Sequence, residues 1–203
     1  MMYSKYLNSS SEYDNIQFKS KLEVRIYKAL KTYFKDVKYE NHKYELLPPV
    51  RCFNVPFYNR IGKTFKQDSR ILQSITYTPD FSFFFNNILV LVEAKGKEND
   101  VFPYKRQLFR RLLEESTEPV IYFEVRTVRE VHMLYKVLQG ESEDTFRLRV
   151  LIGREIGSLF NKYNKMLENH DWQGLEKLLK KAAVTNEEVY NLLEKFMKNE
   201  ATH

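Results

Sequence analysis

Residues 77–96 read YTPDFSFFFNNILVLVEAKG, and this stretch decides the fold. Residues 88–94 form an almost unbroken apolar run, the pattern of a central strand covered on both faces. Residues 80–85 are rich in phenylalanine, and Asn86-Asn87 between the two runs is a two-residue hairpin turn. That turn sets the register: 85 opposes 88, and Asp80 therefore opposes Glu93. Side chains alternate along a strand, so Glu93 and Lys95 point to one face and Ala94 to the other. Gly96 ends the strand.

Working outward, Ser20-x-x-Glu23 has the form of a capping box, and Leu22, Ile26, Leu30 and Phe34 recur every fourth residue. A helix is expected over about residues 20–35. Residues 37–47 and 50–57 read as extended, separated by Pro48-Pro49. Residues 58–68 read as a basic loop or hairpin tip, and residues 71–77 as β-rich. After Gly96 come a helix over 101–116, a buried strand over 119–125 and a helix over 128–138. Residues 140–144 read as a linker, followed by a short apolar run at 149–152. Three short helices are expected at about 154–169, 171–182 and 186–199, the last opened by Thr185 and Glu188. The order up to residue 126 is that of an α/β layer on a mixed sheet.

The chain has 203 residues, 43% of them hydrophobic and 30% charged, enough for one substantial core. Gly and Pro number 6 each, which excludes collagen and low-complexity disorder. The most apolar stretch is too short to span a bilayer. No apolar segment follows the first residues, so no signal peptide is expected. Cys52 is alone, which excludes an internal disulfide and fits a reducing compartment, taken as the cytoplasm. Residues 1–140 carry 23 Lys and Arg against 16 Asp and Glu, a net +7, whereas residues 141–203 carry 10 against 11. A basic N-terminal two-thirds points to a polyanion partner, with ordinary solubility charge as the alternative. No P-loop, no Gly-x-Ser-x-Gly elbow and no zinc-spaced Cys/His set occurs.

Two opposed carboxylates at the end of an apolar strand repel unless a cation or proton intervenes. Asp80 and Glu93 offer hard oxygen donors suited to Mg²⁺ or Mn²⁺. Such a metal acidifies a bound water and stabilises charge developing on a phosphodiester. Lys95, on the same face, would orient the water or neutralise the phosphate. The alternative is a cross-strand acid pair relieved by Lys95 as a structural salt bridge. Glu23 likewise has a local reading, as the third helical residue of the Ser20 capping box.

Thr78-Pro-Asp80 followed by Glu93-Ala-Lys95, with Phe18-x-Ser-x-x-Glu23 upstream, resembles the signature of the PD-(D/E)XK nuclease superfamily. The resemblance covers about residues 18–126. It extends to small phage endonucleases, Holliday-junction resolvases and the end-cleaving subunits of some transposases. It implies a restriction-endonuclease-like core in which Asp80, Glu93 and the Ala94 carbonyl ligate the metal. Lys95 is then the catalytic lysine, and Glu23 reaches the metal or the water. Such sites often recruit a polar residue from the following helix. Lys105 falls within the apolar arc there, while Gln107 lies outside it and is followed by Arg111 where some branches carry Tyr.

The expectation is a Mg²⁺- or Mn²⁺-dependent DNA endonuclease, with branched DNA as one target. Its core would span residues 18–140, between a flexible arm at 1–17 and a helical extension at 141–203. DNA contacts are expected from Lys97, Lys105, Arg106, Arg110 and Arg111, with Arg106, Arg110 and Arg111 on the outer helix face, and from Arg60, Lys63 and Lys66. Surface charge is the alternative for each. The C-terminal helices would pack in cis, form a homodimer or dock a protein partner. Two further readings stay open: a cleaving subunit silent without its partner, and a nucleic-acid-binding protein without turnover.

Overall fold

The structure, a computed structural model, describes residues 11–116 and 118–200. It divides into an α/β unit, made of the described residues up to Phe85 together with Leu89–Lys136, and a helical unit, made of Asn86–Ile88 and the residues from Val137 onward.

In the α/β unit, β1 (Ser11–Tyr13) and β2 (Ile16–Phe18) pair around Asp14 and Asn15, at φ 58° and 59°. Residues 11–17 are therefore not a loose arm. Asp and Asn tolerate the left-handed turn, and the hairpin is tied down by Asp14–Lys31 at 2.7 Å and by the buried Phe18 ring. The rest of the expected arm, residues 1–10, lies outside the described residues.

Helix α1 (Lys21–Tyr33) starts where the capping residue places it, with Ser20 Oγ accepting the Glu23 N–H. It buries Ile26, Tyr27, Ala29 and Leu30. The extended segment expected over 37–47 is broken into β3 (Lys38–Tyr39) and β4 (Tyr44–Leu47). The break falls at Glu40, at φ 45°, whose N–H turns to the Asp80 carbonyl at 2.8 Å.

Strands β5 (Phe57–Ile61) and β6 (Thr64–Asp68) form a hairpin with Gly62 at φ 64° in its turn, where a residue without Cβ suffers no strain. β7 (Ile75–Tyr77) pairs with β4. Most of residues 50–57 are not strand; only the Val50–Leu72 bridge marks them.

The main sheet follows in the order β10-β9-β8-β3, with β8 (Phe81–Phe85), β9 (Ile88–Ala94) and β10 (Val120–Val125). Asn86 and Asn87, at φ 49° and 63°, make the tight turn between β8 and β9. β10 runs parallel to β9, with Glu124 opposite Glu93 and Val125 opposite Ala94. A parallel pair needs a crossover, and α2 (Phe102–Glu114) provides it. Its buried Phe102 and Phe109 cover Tyr77 and Leu91, with Phe109 4.5 Å from the Tyr77 ring. This is a mixed α/β architecture, as the sequence indicates. α3 (Val128–Gln139) follows β10.

The helical unit contains α4 (Glu143–Ile156), α5 (Phe160–Glu168), α6 (Trp172–Lys181) and α7 (Glu187–Glu200). The last two residues of the expected linker, Glu143 and Asp144, and the 149–152 run belong to one helix. Ser142 and Thr145 cap each other reciprocally, and Leu148, Ile152 and Ile156 continue at four-residue spacing into the core. The helix expected over 154–169 is interrupted by the 3-10 turn Gly157–Leu159. At α7, Asn186 Oδ1 and not Thr185 takes the Glu188 N–H. Leu175, Leu179, Val189 and Leu193 are fully buried there, and Trp172 stacks on Phe196 at 4.6 Å.

Candidate active site

The site is built where β8 begins and β9 ends. Pro79 leads into Asp80, whose Oδ2 accepts the Ala94 N–H at 2.7 Å. That bond clamps the first carboxylate to the terminal residue of β9. Glu93, one residue earlier, is only 8% exposed. A carboxylate so buried needs partners. Tyr77 donates its hydroxyl to Glu93 Oε2 at 2.8 Å, and Lys95 Nζ stands 3.5 Å from Oε1. Lys95 is held in turn by its backbone N–H on the Val125 carbonyl and by its ammonium 3.4 Å above the Phe102 ring.

Electrostatically the site carries an excess of negative charge. Loss of water pushes the Asp80 carboxyl well above the usual range, and the charges of Glu93 and Glu23 add to the effect. Burial also raises Glu93, opposed by the Tyr77 hydroxyl and by Lys95. Tyr77 and Tyr122, whose hydroxyls lie 3.0 Å apart, are both pushed far up by burial and remain proton donors.

Glu23 lies close enough to act on Asp80, yet its oxygens are committed. Oε1 accepts from Ser20 Oγ at 2.7 Å. Oε2 accepts from Tyr39 Oη at 2.6 Å and from the Lys19 N–H at 3.0 Å. Only half of the capping box forms: Ser20 Oγ takes the Glu23 N–H, but the Glu23 carboxylate takes the N–H of Lys19 and not that of Ser20. That carboxylate shapes the field without converging on the other two. Among the described residues no group of three or more His, Cys, Asp or Glu side chains converges. Among the described residues of this site, Asp80 and Glu93 are the two carboxylates that could donate to a cation. Two carboxylates match how Mg²⁺ is usually held, since that ion keeps much of its water.

The other residues singled out in the sequence are dispersed. Lys105 does not turn to the carboxylates; its Nζ reaches the Thr76 carbonyl at 3.1 Å. Arg106 is not on the outer face of α2. It bonds Glu124 at 3.0 Å and Glu98 at 3.4 Å, and Arg126 joins Glu98 at 2.7 Å. Arg110 and Arg111 are exposed on α2, the latter paired with Glu115, and Lys97 is exposed after β9. Arg60, Lys63 and Lys66 are exposed on the β5–β6 hairpin.

Residue-type reasoning missed Tyr77, Tyr122 and Phe102, which sequence patterning assigns to the core. The available signal was Tyr77 three residues before Asp80: a tyrosine in a short strand beside a buried acid has a hydroxyl to place.

Comparison with known proteins places this site within a family. The family model described as "Protein of unknown function (DUF1064)" matches residues 3–134, taking in Glu23, Tyr77, Asp80, Glu93 and Lys95 and ending before α4. No curated protein and no solved structure matches the chain. With about two thirds of its length covered, the chain belongs to the DUF1064 family.

Proposed function

We propose that the chain is a divalent-metal-dependent endonuclease acting on DNA, of the PD-(D/E)XK type that its motifs resemble. The observation that carries this reading is the clamped, water-poor pair Asp80 and Glu93 with Lys95 at 3.5 Å. A purely structural salt bridge needs one acid for one lysine. Here a second acid is held at the same strand end, with its ionisation disfavoured by burial and by the charge of the first. A cation that removes this penalty is the simplest reason to retain it.

Mg²⁺ or Mn²⁺ bound there would polarise a phosphodiester oxygen and lower the pKa of a water. The residues of the chain do the rest. The Ala94 N–H fixes Asp80 Oδ2 and the Tyr77 hydroxyl fixes Glu93 Oε2, so both carboxylates are oriented before substrate arrives. Lys95, steadied over Phe102 beside Glu93, is the cation that would orient the attacking water or neutralise the phosphate. Glu23 adds negative potential that strengthens cation binding. Lys97, Arg110 and Arg111 are exposed cations available to the phosphate backbone. Branched or otherwise structured DNA is the substrate class proposed.

The test uses the full chain on linear, nicked, single-stranded, flap and four-way-junction DNA, with Mg²⁺, Mn²⁺ or EDTA, beside Asp80→Asn and Lys95→Ala. The reading expects metal-dependent cleavage that both substitutions abolish. Cleavage surviving both would place the active site elsewhere. Binding without cleavage would favour a non-catalytic binder or a subunit dependent on a partner.

A further inference from the structure

The carboxylate site makes no use of the chain between β4 and β7. These strands pair Tyr44 with Tyr77 and Leu47 with Ile75. The Val50–Leu72 bridge carries the pairing outward, and β5 and β6 continue it from Phe57–Asp68 to Ile61–Thr64. Residues 44–77 thus form one antiparallel ribbon-like excursion, made of two separate two-stranded sheets with the isolated bridge and irregular segments between them, and closed at Gly62. Its shorter arm has 13 steps, from Thr64 to Tyr77, so its reach is at most roughly 43 Å.

Both faces of the outer ribbon lie in water. Alternation and register put Phe57, Asn59, Ile61 and Lys66 on one face, and Tyr58, Arg60 and Phe65 on the other. Phe57 is 64% exposed, Tyr58 56% and Phe65 72%. No core accounts for these rings, and an exposed apolar cluster marks an interaction surface. Its charge states the partner. Residues 50–72 hold Arg51, Arg60, Lys63, Lys66 and Arg70 against Asp68 alone. Asp68 is neutralised within the ribbon by Arg70 at 2.6 Å, so Arg60, Lys63 and Lys66 present uncompensated charge.

We propose that this ribbon seats in the major groove of duplex DNA. That groove admits a two-stranded β-ribbon. Cations on both faces and at the tip then meet the phosphates of both groove walls, while the rings contact base edges such as thymine methyls. The deep, narrow major groove of A-form RNA does not admit it. The root of the ribbon is Tyr77, which donates to Glu93, so a duplex gripped by the ribbon is tethered to the strand beside the carboxylates. The inference rests on the proposed nuclease reading only in taking DNA as the polyanion.

The experiment measures binding apart from cleavage. Fluorescence anisotropy of the full chain with a labelled duplex of about three helical turns is followed over a salt series in EDTA. The variants are Arg60→Ala/Lys63→Ala/Lys66→Ala and Tyr58→Ala/Phe65→Ala. Lys162→Ala/Lys177→Ala/Lys181→Ala in the helical unit is the control, and thermal melts verify that all are folded. Loss of three phosphate contacts lowers the slope of log K against log salt by about 2.7 and the affinity at least about tenfold. The aromatic variant loses affinity at unchanged slope, and the control keeps both. The native chain displaces the major-groove dye methyl green and leaves the minor-groove ligand distamycin bound.

Binding unaltered by both ribbon variants, or no duplex binding by the native chain, would overturn the proposal. So would ribbon variants that keep DNA binding but lose self-association in sedimentation, since the ribbon would then join two copies. Ribbon-dependent binding without cleavage in Mg²⁺ would leave the ribbon standing and sink the nuclease. Cleavage with ribbon-independent binding would do the reverse.

Discussion

Replacing Tyr77 by Phe removes one oxygen that two groups depend on. Its hydroxyl lies 2.8 Å from Glu93 Oε2 and 3.0 Å from the Tyr122 hydroxyl, and the residue is only 7% exposed. A hydrogen bond to a charged partner is worth about 1.5–3 kcal/mol. The Tyr122 hydroxyl also loses its partner, at a cost near the lower end of the 1–3 kcal/mol range because it retains some access to water. Phe is easier to bury than Tyr, which recovers about 1 kcal/mol. The net expectation is a loss of about 2 kcal/mol, or roughly 4–8 °C in Tm for a chain of this size. Urea denaturation in EDTA at pH 8, well above the ordinary carboxylate range, measures it. A double-mutant cycle with Glu93→Gln isolates the contact. Against a neutral acceptor the hydroxyl is worth only about 1 kcal/mol, so a coupling of about 1 kcal/mol is expected. A loss under about 0.5 kcal/mol, or strict additivity with Glu93→Gln, would refute the claim that Tyr77 supports the buried carboxylate.

In EDTA, stability should fall as pH rises above about 4. The folded-state pKa values of Asp80 and Glu93 are raised, so the native state binds more protons than the unfolded chain between the ordinary carboxylate range and those raised values. Tm against pH should show this decline in the native protein and a flatter profile in Asp80→Asn; a native Tm rising over the same window would contradict it. Lys95→Ala should take cleavage below detection in the DNA-cutting assay, a loss of at least about 10²- to 10³-fold as expected for one preorganised electrostatic group, with duplex affinity within about twofold. Leu179→Ala, at a fully buried position of the helical unit, should cost about 2–5 kcal/mol in the unfolding transition read by fluorescence of Trp172, the only tryptophan.

What was legible in the sequence was local. The Asn86-Asn87 turn needed only two residues able to take positive φ. Ser20 announced α1 because its capping bond spans three residues. The nearness of Asp80 to the end of β9 followed from counting across that turn. What escaped was non-local. Pairing of β4 with β7 spans some thirty residues, and neither short strand advertises the other. A helical wheel puts Arg106 on the outside of α2 because it knows only its own helix. Glu98 and Glu124, which draw it in, come from the preceding loop and from β10. Residues 140–144 read as a linker through their charge, although Ser142 with Thr145 already carries a cap. Tyr77 reads as core because burial and function use the same residue there.

The central claim is that Asp80 and Glu93 together bind a divalent cation, and titration of Mn²⁺ into the full chain tests it most directly. Calorimetry and the Mn²⁺ electron paramagnetic resonance signal would be read for the native protein, Asp80→Asn and Glu93→Gln. The account predicts saturable binding by the native chain, competed by Mg²⁺, with release of protons that grows towards lower pH, and loss of that binding in both variants. Equal binding by all three proteins, or none by the native chain at millimolar Mn²⁺, would contradict it.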